Sequence, residues 1–456
     1  MIKVITYGTY DCLHYGHIRL LQHAKALGDF LIVGITSEDF DVNRGKINVK
    51  QSLTDRIAAV KETGIADLIV VEEYQGQKID DIQRYGVDIF TVGSDWEGHF
   101  DYLNEYCQVV YLPRTKGVSS TELRSDEQHI RMGVVGESSS VIEKFLREGG
   151  YVNGLEFTGV CTSSISELPD YFKNLDLITN NYDELLANVE AVYIQSSPYE
   201  RYALIQRALE YNVHVICESP ITLAQADYLE LLALAESKNL VLMESLKTAY
   251  TVAFQRMVVM LKSGLIGRIA SVDAAVTSLA KLDGNSVGSL CDWGPQALLA
   301  IFKLLGTAYE SKSIKTMFYK GDTVDDIGEE KSVKRYKIDS FTKIDFIYPE
   351  AVASLRVGKG VKSEGELIIS GTKGYIFVPA PWWKTDYFEA RFEDPRDNRK
   401  FFYQLKGEGI RNMIVQFVRS VSEKRDEGNV LPEITSAITK VIQDFYQGID
   451  VIEICK

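Results

Sequence analysis

Short apolar runs separated by helical patterns constrain the first quarter of this chain more than any other feature. Val4–Thr6, Phe30–Ile35, Leu68–Val71, Ile89–Val92 and Val109–Leu112 read as strands, and residues 52–63 and 79–85 carry helical periodicity between them. Such alternation specifies an α/β arrangement, a parallel sheet with helices on both faces, in which ligands bind beyond the carboxyl ends of the strands. The residues suited to chemistry fall just after strands: Gly8–His17, Gly93–Gly98 and Pro113–Gly117.

The first of these stretches is the most informative. After the Val4–Thr6 strand come Gly8, Thr9, Tyr10 and Asp11, then His14, Tyr15, Gly16 and His17, which open a helical pattern through Leu20, Leu21, Ala24 and Leu27. Strand, tight turn and helix start present backbone N–H groups to an anion. Two histidines three residues apart on a first helical turn share one face, so both imidazoles address the same phosphate-sized space. A pair of core or surface histidines is the plainer alternative. Two of the six His in one glycine-flanked turn argue against it. Downstream, Arg114, Thr115, Lys116, Gly117, Val118, Ser119, Ser120 and Thr121 supply a guanidinium, a glycine for close backbone approach and a run of hydroxyls opening a helix. That set suits a polyphosphate, which needs several donors and a fixed positive charge; by itself it would also serve as a helix cap with a solvated Arg.

At 456 residues the chain is too long for one core, and about 150 residues per domain suggests two or three. A net charge of -14 argues against a nonspecific nucleic-acid binder. Six cysteines lie far apart without a Cys-x-x-Cys pair, which fits neither a disulfide framework nor a cysteine-rich zinc site, and a reducing cytoplasm is the expected location. The N-terminus enters a strand at once, with no leader expected. No apolar run reaches the roughly 20 residues that would span a bilayer, so no membrane insertion is expected.

Residues 1–126 resemble the glycerol-3-phosphate cytidylyltransferases of the H-x-G-H nucleotidylyltransferase superfamily, through Tyr7–Asp11, His14–His17, Gly93–Gly98, Tyr111–Thr115 and Gly117–Thr121. The resemblance implies that CMP passes from CTP to glycerol-3-phosphate or a similar polyol phosphate, with Mg²⁺ accompanying CTP. It implies His14, His17, Lys46 and Arg114 as catalytic donors. Thr9, Tyr10, Asp11, Tyr15, Gly16, Asp95 and residues 115–121 would bind the nucleotide, and Arg44 and Lys78 the acceptor. Ser94 stands where the family commonly has an acidic residue, and Arg44 where it often has lysine. Envelope polymer or capsule synthesis is the pathway the resemblance implies.

Ser125–His129 is polar and reads as a linker. Beyond it, Ile130–Gly136 leads into a helix, and Phe157–Val160, Ala191–Ile194 and Val213–Cys217 follow with helices between, a dinucleotide-fold layout expected over 129–246. Residues 247–456 change character. Strand-like runs at 269–276, 343–348 and 366–370, then helices near 411–422 and 433–446, predict an α+β domain with a largely antiparallel sheet.

This part is similar to the Gfo/Idh/MocA oxidoreductases, through Gly133–Gly136, Tyr211–Pro220, Ser263–Ile269 and Asp292–Gly294. The resemblance implies NAD(P) in the first half and a sugar or polyol in the second. Its motifs are eroded. The usual glutamate-lysine-proline triplet reads Glu218-Ser219-Pro220, and Gln296 stands near the expected acid/base histidine. Ser138 replaces a cofactor-loop glycine, Val141 a small residue, and Cys161–Ser164 offers no carboxylate for a ribose. Gly136, Ser138, Glu218, Lys247 and Asp292 remain candidates for holding a cofactor or ligand, with NAD(P) itself in doubt. Two readings stay open: a cytidylyltransferase carrying a degenerate oxidoreductase-like module, or a bifunctional enzyme whose second half reduces the keto precursor of the alcohol. A nucleotide sensor with a spent transferase is a third. Both resemblances imply a homo-oligomer.

Overall fold

The computed structural model describes residues 1–454 apart from 44, 47–48, 75, 114–128, 166–168, 174, 283–286, 320–336, 385, 404, 406 and 424–427. The chain divides into two compact units, one of Met1–His129 with Tyr151–Gly154, the other of Ile130–Gly150 with Leu155–Lys456.

In the first unit, β1 (Lys3–Gly8), β2 (Phe30–Thr36), β3 (Leu68–Glu72), β4 (Ile89–Gly93) and β5 (Gln108–Leu112) form a sheet in the order β3-β2-β1-β4-β5, every pairing parallel. Successive strand residues point to opposite faces, and both faces are apolar. Val4, Leu31, Val33 and Ile35 pack on one side with Leu21, Ala24 and Val60. Ile5, Tyr7, Ile32 and Phe90 pack on the other with Ile82 and Val87. That two-sided burial is why the strands read as unbroken apolar runs. Gly34 admits the Tyr7 ring, since a Cβ there would lie 2.1 Å from Cδ1 of that ring.

The chain leaves β1 for β2 on one side and reaches β4 on the other. The carboxyl ends of β1 and β4 therefore flank a topological switch point, where a crevice opens between diverging connections. The turn after Gly8 and the loop after Gly93 both lie there.

In the second unit, β6 (Ile130–Val135), β7 (Leu155–Cys161), β8 (Leu177–Thr179), β9 (Ala191–Ile194), β10 (His214–Glu218) and β11 (Leu242–Ser245) make a second all-parallel sheet, in the order β11-β10-β9-β6-β7-β8. Its switch point lies between β6 and β9. The sequence pattern marked four of these six strands. β8 spans three residues, too short for a periodic signal, and pairing with the longer β7 is what makes it a strand.

A mixed sheet completes the unit. β12 (Ile269–Ser278), β13 (Ser311–Phe318), β14 (Asp339–Ile347), β15 (Val352–Lys359), β16 (Leu367–Gly371), β17 (Tyr375–Val378), β18 (Tyr387–Arg391), β19 (Arg399–Phe402) and β20 (Val451–Glu453) lie in the order β19-β18-β17-β16-β12-β15-β14-β13-β20. Only the β12/β15 and β13/β20 pairings among them are parallel. Helix Ser289–Leu305 packs on β12, β14 and β15 with most of its length buried. The expected class holds: two parallel α/β sheets and a largely antiparallel one. Among the described residues no helix is long and apolar enough to cross a membrane.

Candidate functional site

His14 is the N-cap of helix Tyr15–Lys25, with φ -125° and ψ 173°. Its Nδ1 accepts from the Gly16 N–H at 3.1 Å, and its own N–H donates to His17 Nδ1 at 3.5 Å. This is a capping box in which imidazoles replace the usual hydroxyl and carboxylate. Because both Nδ1 atoms accept, the proton of each neutral ring belongs on Nε2. The rings stack with centroids 3.8 Å apart, and Tyr10 meets the His17 ring edge-on at 5.6 Å. The helix start thus orients both imidazoles as a unit.

Beside them, Thr9 Oγ1 accepts from Lys46 Nζ at 2.9 Å and donates to Asp41 Oδ1 at 2.9 Å. Asp41 Oδ2 takes the Thr36 hydroxyl at 2.6 Å and Arg56 Nη1 at 3.3 Å. Arg56 Nη1 also donates to the carbonyls of Thr9 and Thr36, both at 2.9 Å. The Asp41 and Arg56 side chains are completely buried. Hydrogen bonds offset part of the desolvation cost of this buried ion pair, and they tie the end of β1 to the end of β2. Sequence reasoning missed Asp41, Thr36 and Arg56. The available signal was Arg56 falling on the apolar stripe of its helix, between Leu53, Ile57 and Val60, where a solvated arginine would not belong.

Other expected site residues lie less directly on the crevice. The Tyr10 ring is in the core at 1 % exposure, which raises its phenol above the ordinary range, so its backbone is what it can offer a ligand. Asp11 turns inward, accepting from the Lys50 N–H at 3.1 Å and the Gln51 N–H at 3.0 Å, and so shapes the turn. Tyr15 is exposed and accepts from Arg19 at 3.0 Å. Lys78 is ion-paired with the buried Glu72 and sits 4.5 Å from the centre of the Tyr7 ring and 5.6 Å from that of Phe100. Asp95 is on the short turn Ser94–Trp96 after β4, where Trp96 meets His99 and Phe100. The structure therefore gathers Thr9, His14, Gly16, His17 and Lys46 around the end of β1, with Asp95 at the end of the adjacent strand. Arg44, Arg114, Thr115, Lys116, Gly117, Val118, Ser119, Ser120 and Thr121 lie outside the described residues.

The second unit has a cavity of about 900 Å³ at the ends of β6, β7 and β9, lined by Gly136, Glu137, Thr162, Ser163, Gln195 and Asp292 among others. Gly136 has φ +143°, and a Cβ on it would lie 2.1 Å from the Gln195 carbonyl oxygen, so only glycine closes this turn. The Ser138 hydroxyl is 2.7 Å from that of Tyr171. Glu218 accepts from Tyr193 at 2.6 Å and Ser245 at 2.7 Å. Ser219, where a lysine would contact nicotinamide, donates its hydroxyl to the buried Glu244 at 2.6 Å. Burial raises the Glu244 carboxyl. Lys247 pairs with Glu408 at 2.7 Å, and Lys144 and Lys384 converge on the same carboxylate at 2.9 and 3.1 Å. Asp292 is paired with Lys359. Each polar candidate in this unit is thus engaged by another residue of the chain.

Residues 5–126 match the family described as cytidylyltransferase-like, and residues 130–246 match the oxidoreductase family with an NAD-binding Rossmann fold. The glycerol-3-phosphate cytidylyltransferase of Bacillus spizizenii is 45% identical over 126 residues, covering 28% of this chain and 97% of that protein. The enzyme of the same name from Staphylococcus aureus is 44% identical over 129 residues, covering 28% and 95%. Among solved structures, a 3-ketoreductase from Actinomadura kijaniata in complex with NADP and TDP-benzene covers 72% of this chain and 100% of its own, with a TM-score of 0.61 at 18% identity. UDP-N-acetylglucosamine 3-dehydrogenase from Acidithiobacillus ferrooxidans covers 71% and 98%, with a TM-score of 0.58 at 16% identity. At those identities the likeness establishes the fold of the second unit.

Proposed function

This chain belongs, through its first unit, to the glycerol-3-phosphate cytidylyltransferase family, and we propose that it transfers CMP from CTP to glycerol-3-phosphate or a similar polyol phosphate. A phosphate oxygen of the acceptor attacks the α-phosphorus of CTP, the bond to the β-phosphate breaks, and pyrophosphate leaves in line. The work of the protein is to hold two anions together and to stabilise the charge that develops on phosphorus.

The observation that carries this reading is the Lys46 ammonium seated on Thr9 beside the stacked His14/His17 pair at a helix start. With the ring protons on Nε2, both imidazoles are donors for phosphate oxygens. Thr9, Gly16 and the Tyr10 backbone would line the triphosphate, Asp95 the nucleoside side, and Lys78 the acceptor. Arg44, Arg114 and residues 115–121 complete the proposed set. Among the described residues no group of three or more His, Cys, Asp or Glu could form a metal cage. A Mg²⁺ ion accompanying CTP would be carried chiefly by phosphate oxygens and water, where it would offset charge on the departing pyrophosphate.

We read the second unit as a module without reductase activity, because Ser219 has no ammonium to offer and its hydroxyl is committed to Glu244. Homo-oligomerisation and supply of a CDP-alcohol for envelope polymers belong to the same proposal. The test is pyrophosphate release from CTP with a panel of polyol phosphates, followed by the mass of the nucleotide product. Release with glycerol-3-phosphate is expected. Absence of release with every acceptor would overturn the assignment.

A further inference from the structure

We propose that Glu137 turns the cavity of the second unit against dinucleotides and leaves it to an uncharged, hydroxyl-rich ligand such as a polyol or sugar. The cavity lies at the β6/β9 switch point, where a parallel sheet of this order would seat a cofactor pyrophosphate against the turn after the first strand. Glu137 is in that turn, directly after the Gly136 that lets β6 approach β9. A pyrophosphate there would meet a carboxylate instead of bare backbone.

The carboxylate is held in place. Its Oε1 accepts the Ser163 N–H at 3.0 Å and the Ser163 hydroxyl at 2.8 Å, and its Oε2 accepts the Thr162 hydroxyl at 3.1 Å. These donors at the end of β7 are the ones that could have held a phosphate or a ribose. Hydrogen bonds from the Ser164 and Ser163 hydroxyls and the Ser163 N–H hold the carboxyl well below the usual range, at about 2, so it stays charged. The rest of the lining does not compensate. Glu200 adds a second carboxylate, and the charge of Asp292 is balanced by Lys359. Arg201 is 6 % exposed and gives its guanidinium to the carbonyls of Ser196, at 3.1 and 2.9 Å, and Pro220, at 2.6 Å. The residues present therefore do not fit NAD(P), whose pyrophosphate carries two negative charges. Carboxylates beside the side-chain amides of Asn180 and Gln195 and the hydroxyl groups of Ser197 and Tyr199 suit a ligand that offers hydroxyl hydrogens and no phosphate.

The experiment is isothermal titration of the full-length chain, wild type and Glu137→Gln, with NADH, NADPH, glycerol, ribitol and glucose. Wild type is expected to bind NADH and NADPH no tighter than ~1 mM, and removing the charge to tighten NADH or NADPH by ~10-fold or more. At least one of the three uncharged ligands should bind the wild type and protect residues 195–200 from hydrogen exchange. Wild-type binding of either dinucleotide below ~10 µM, or no gain in Glu137→Gln, would overturn the exclusion. Failure of all three uncharged ligands would overturn the ligand class. Pyrophosphate release from CTP is read in parallel. It stays at the wild-type level in Glu137→Gln, which separates this inference from the fate of the cytidylyl-transfer reading.

Discussion

The two parallel sheets of this molecule each open a crevice at the same topological place, yet their chemistry is opposite. At the end of β1 an ammonium and two imidazoles are collected, and a buried Arg56–Asp41 pair braces the backbone beneath them. At the end of β6 the crevice holds a fixed carboxylate, and cations near it are spent: Arg201 on carbonyls, Lys359 on Asp292. Sheet order makes a crevice. Whether an anion enters depends on which charges the surrounding loops leave to it. A dinucleotide-type fold is no warrant for a dinucleotide.

The largest loss is expected at the Arg56–Asp41 brace. Arg56→Ala leaves Asp41 charged and buried without its partner, so thermal or denaturant unfolding should show a loss of ~3–5 kcal/mol in the first unit. A stability within experimental error of wild type would mean that the bracing is incidental. His17→Ala tests the donors themselves, and kcat for pyrophosphate release should fall ~10²-fold or more, the scale for losing one donor to transition-state charge. Unchanged turnover would remove the imidazole pair from the mechanism.

The second unit offers a converse test. Glu408 pairs with three lysines, and its carboxyl is held down to about 2; burial opposes this and Lys247, Lys144 and Lys384 outweigh it. A depressed carboxyl stabilises the fold above its unfolded value, and that stability is lost as pH falls through the folded value. Between about pH 4.5 and pH 2 the second unit should therefore lose ~1–3 kcal/mol that Glu408→Gln has already lost at neutral pH. A variant with the wild-type acid profile would show that the carboxylate contributes nothing. The smallest expected effect is at Lys46. Lys46→Gln should raise KM for CTP ~10-fold, since one charge-assisted bond to phosphate is lost. A rise confined to the acceptor's KM would move Lys46 to the other substrate.

Local patterns made much of the first unit legible. The β1 turn brings Thr9, His14, Gly16 and His17 together within ten residues of chain, so their types and spacing already described the cluster at the end of β1. Pairings between distant residues left weaker traces. Asp41 and Arg56 meet under Thr9 only because β1, β2 and helix Leu53–Glu62 pack together. Lys78 is an available ammonium in the sequence and has an internal carboxylate partner in the fold. Lys247 and Glu408 are 161 residues apart, and nothing local to either announces the other.

Hydrophobic period and turn chemistry act over a few neighbouring residues, so the amino-acid order alone carried the first parallel sheet, the fold class of the remainder and the place of the imidazole pair. Tertiary structure alone decided the use of each charge. The Glu137 carboxylate reaches the loop after β7 because β6 and β7 lie side by side, and Ser219 is given to Glu244 because β10 pairs with β11. Electrostatic effects fall off with distance in space and not along the chain, so the character of each crevice was set when the strands came together.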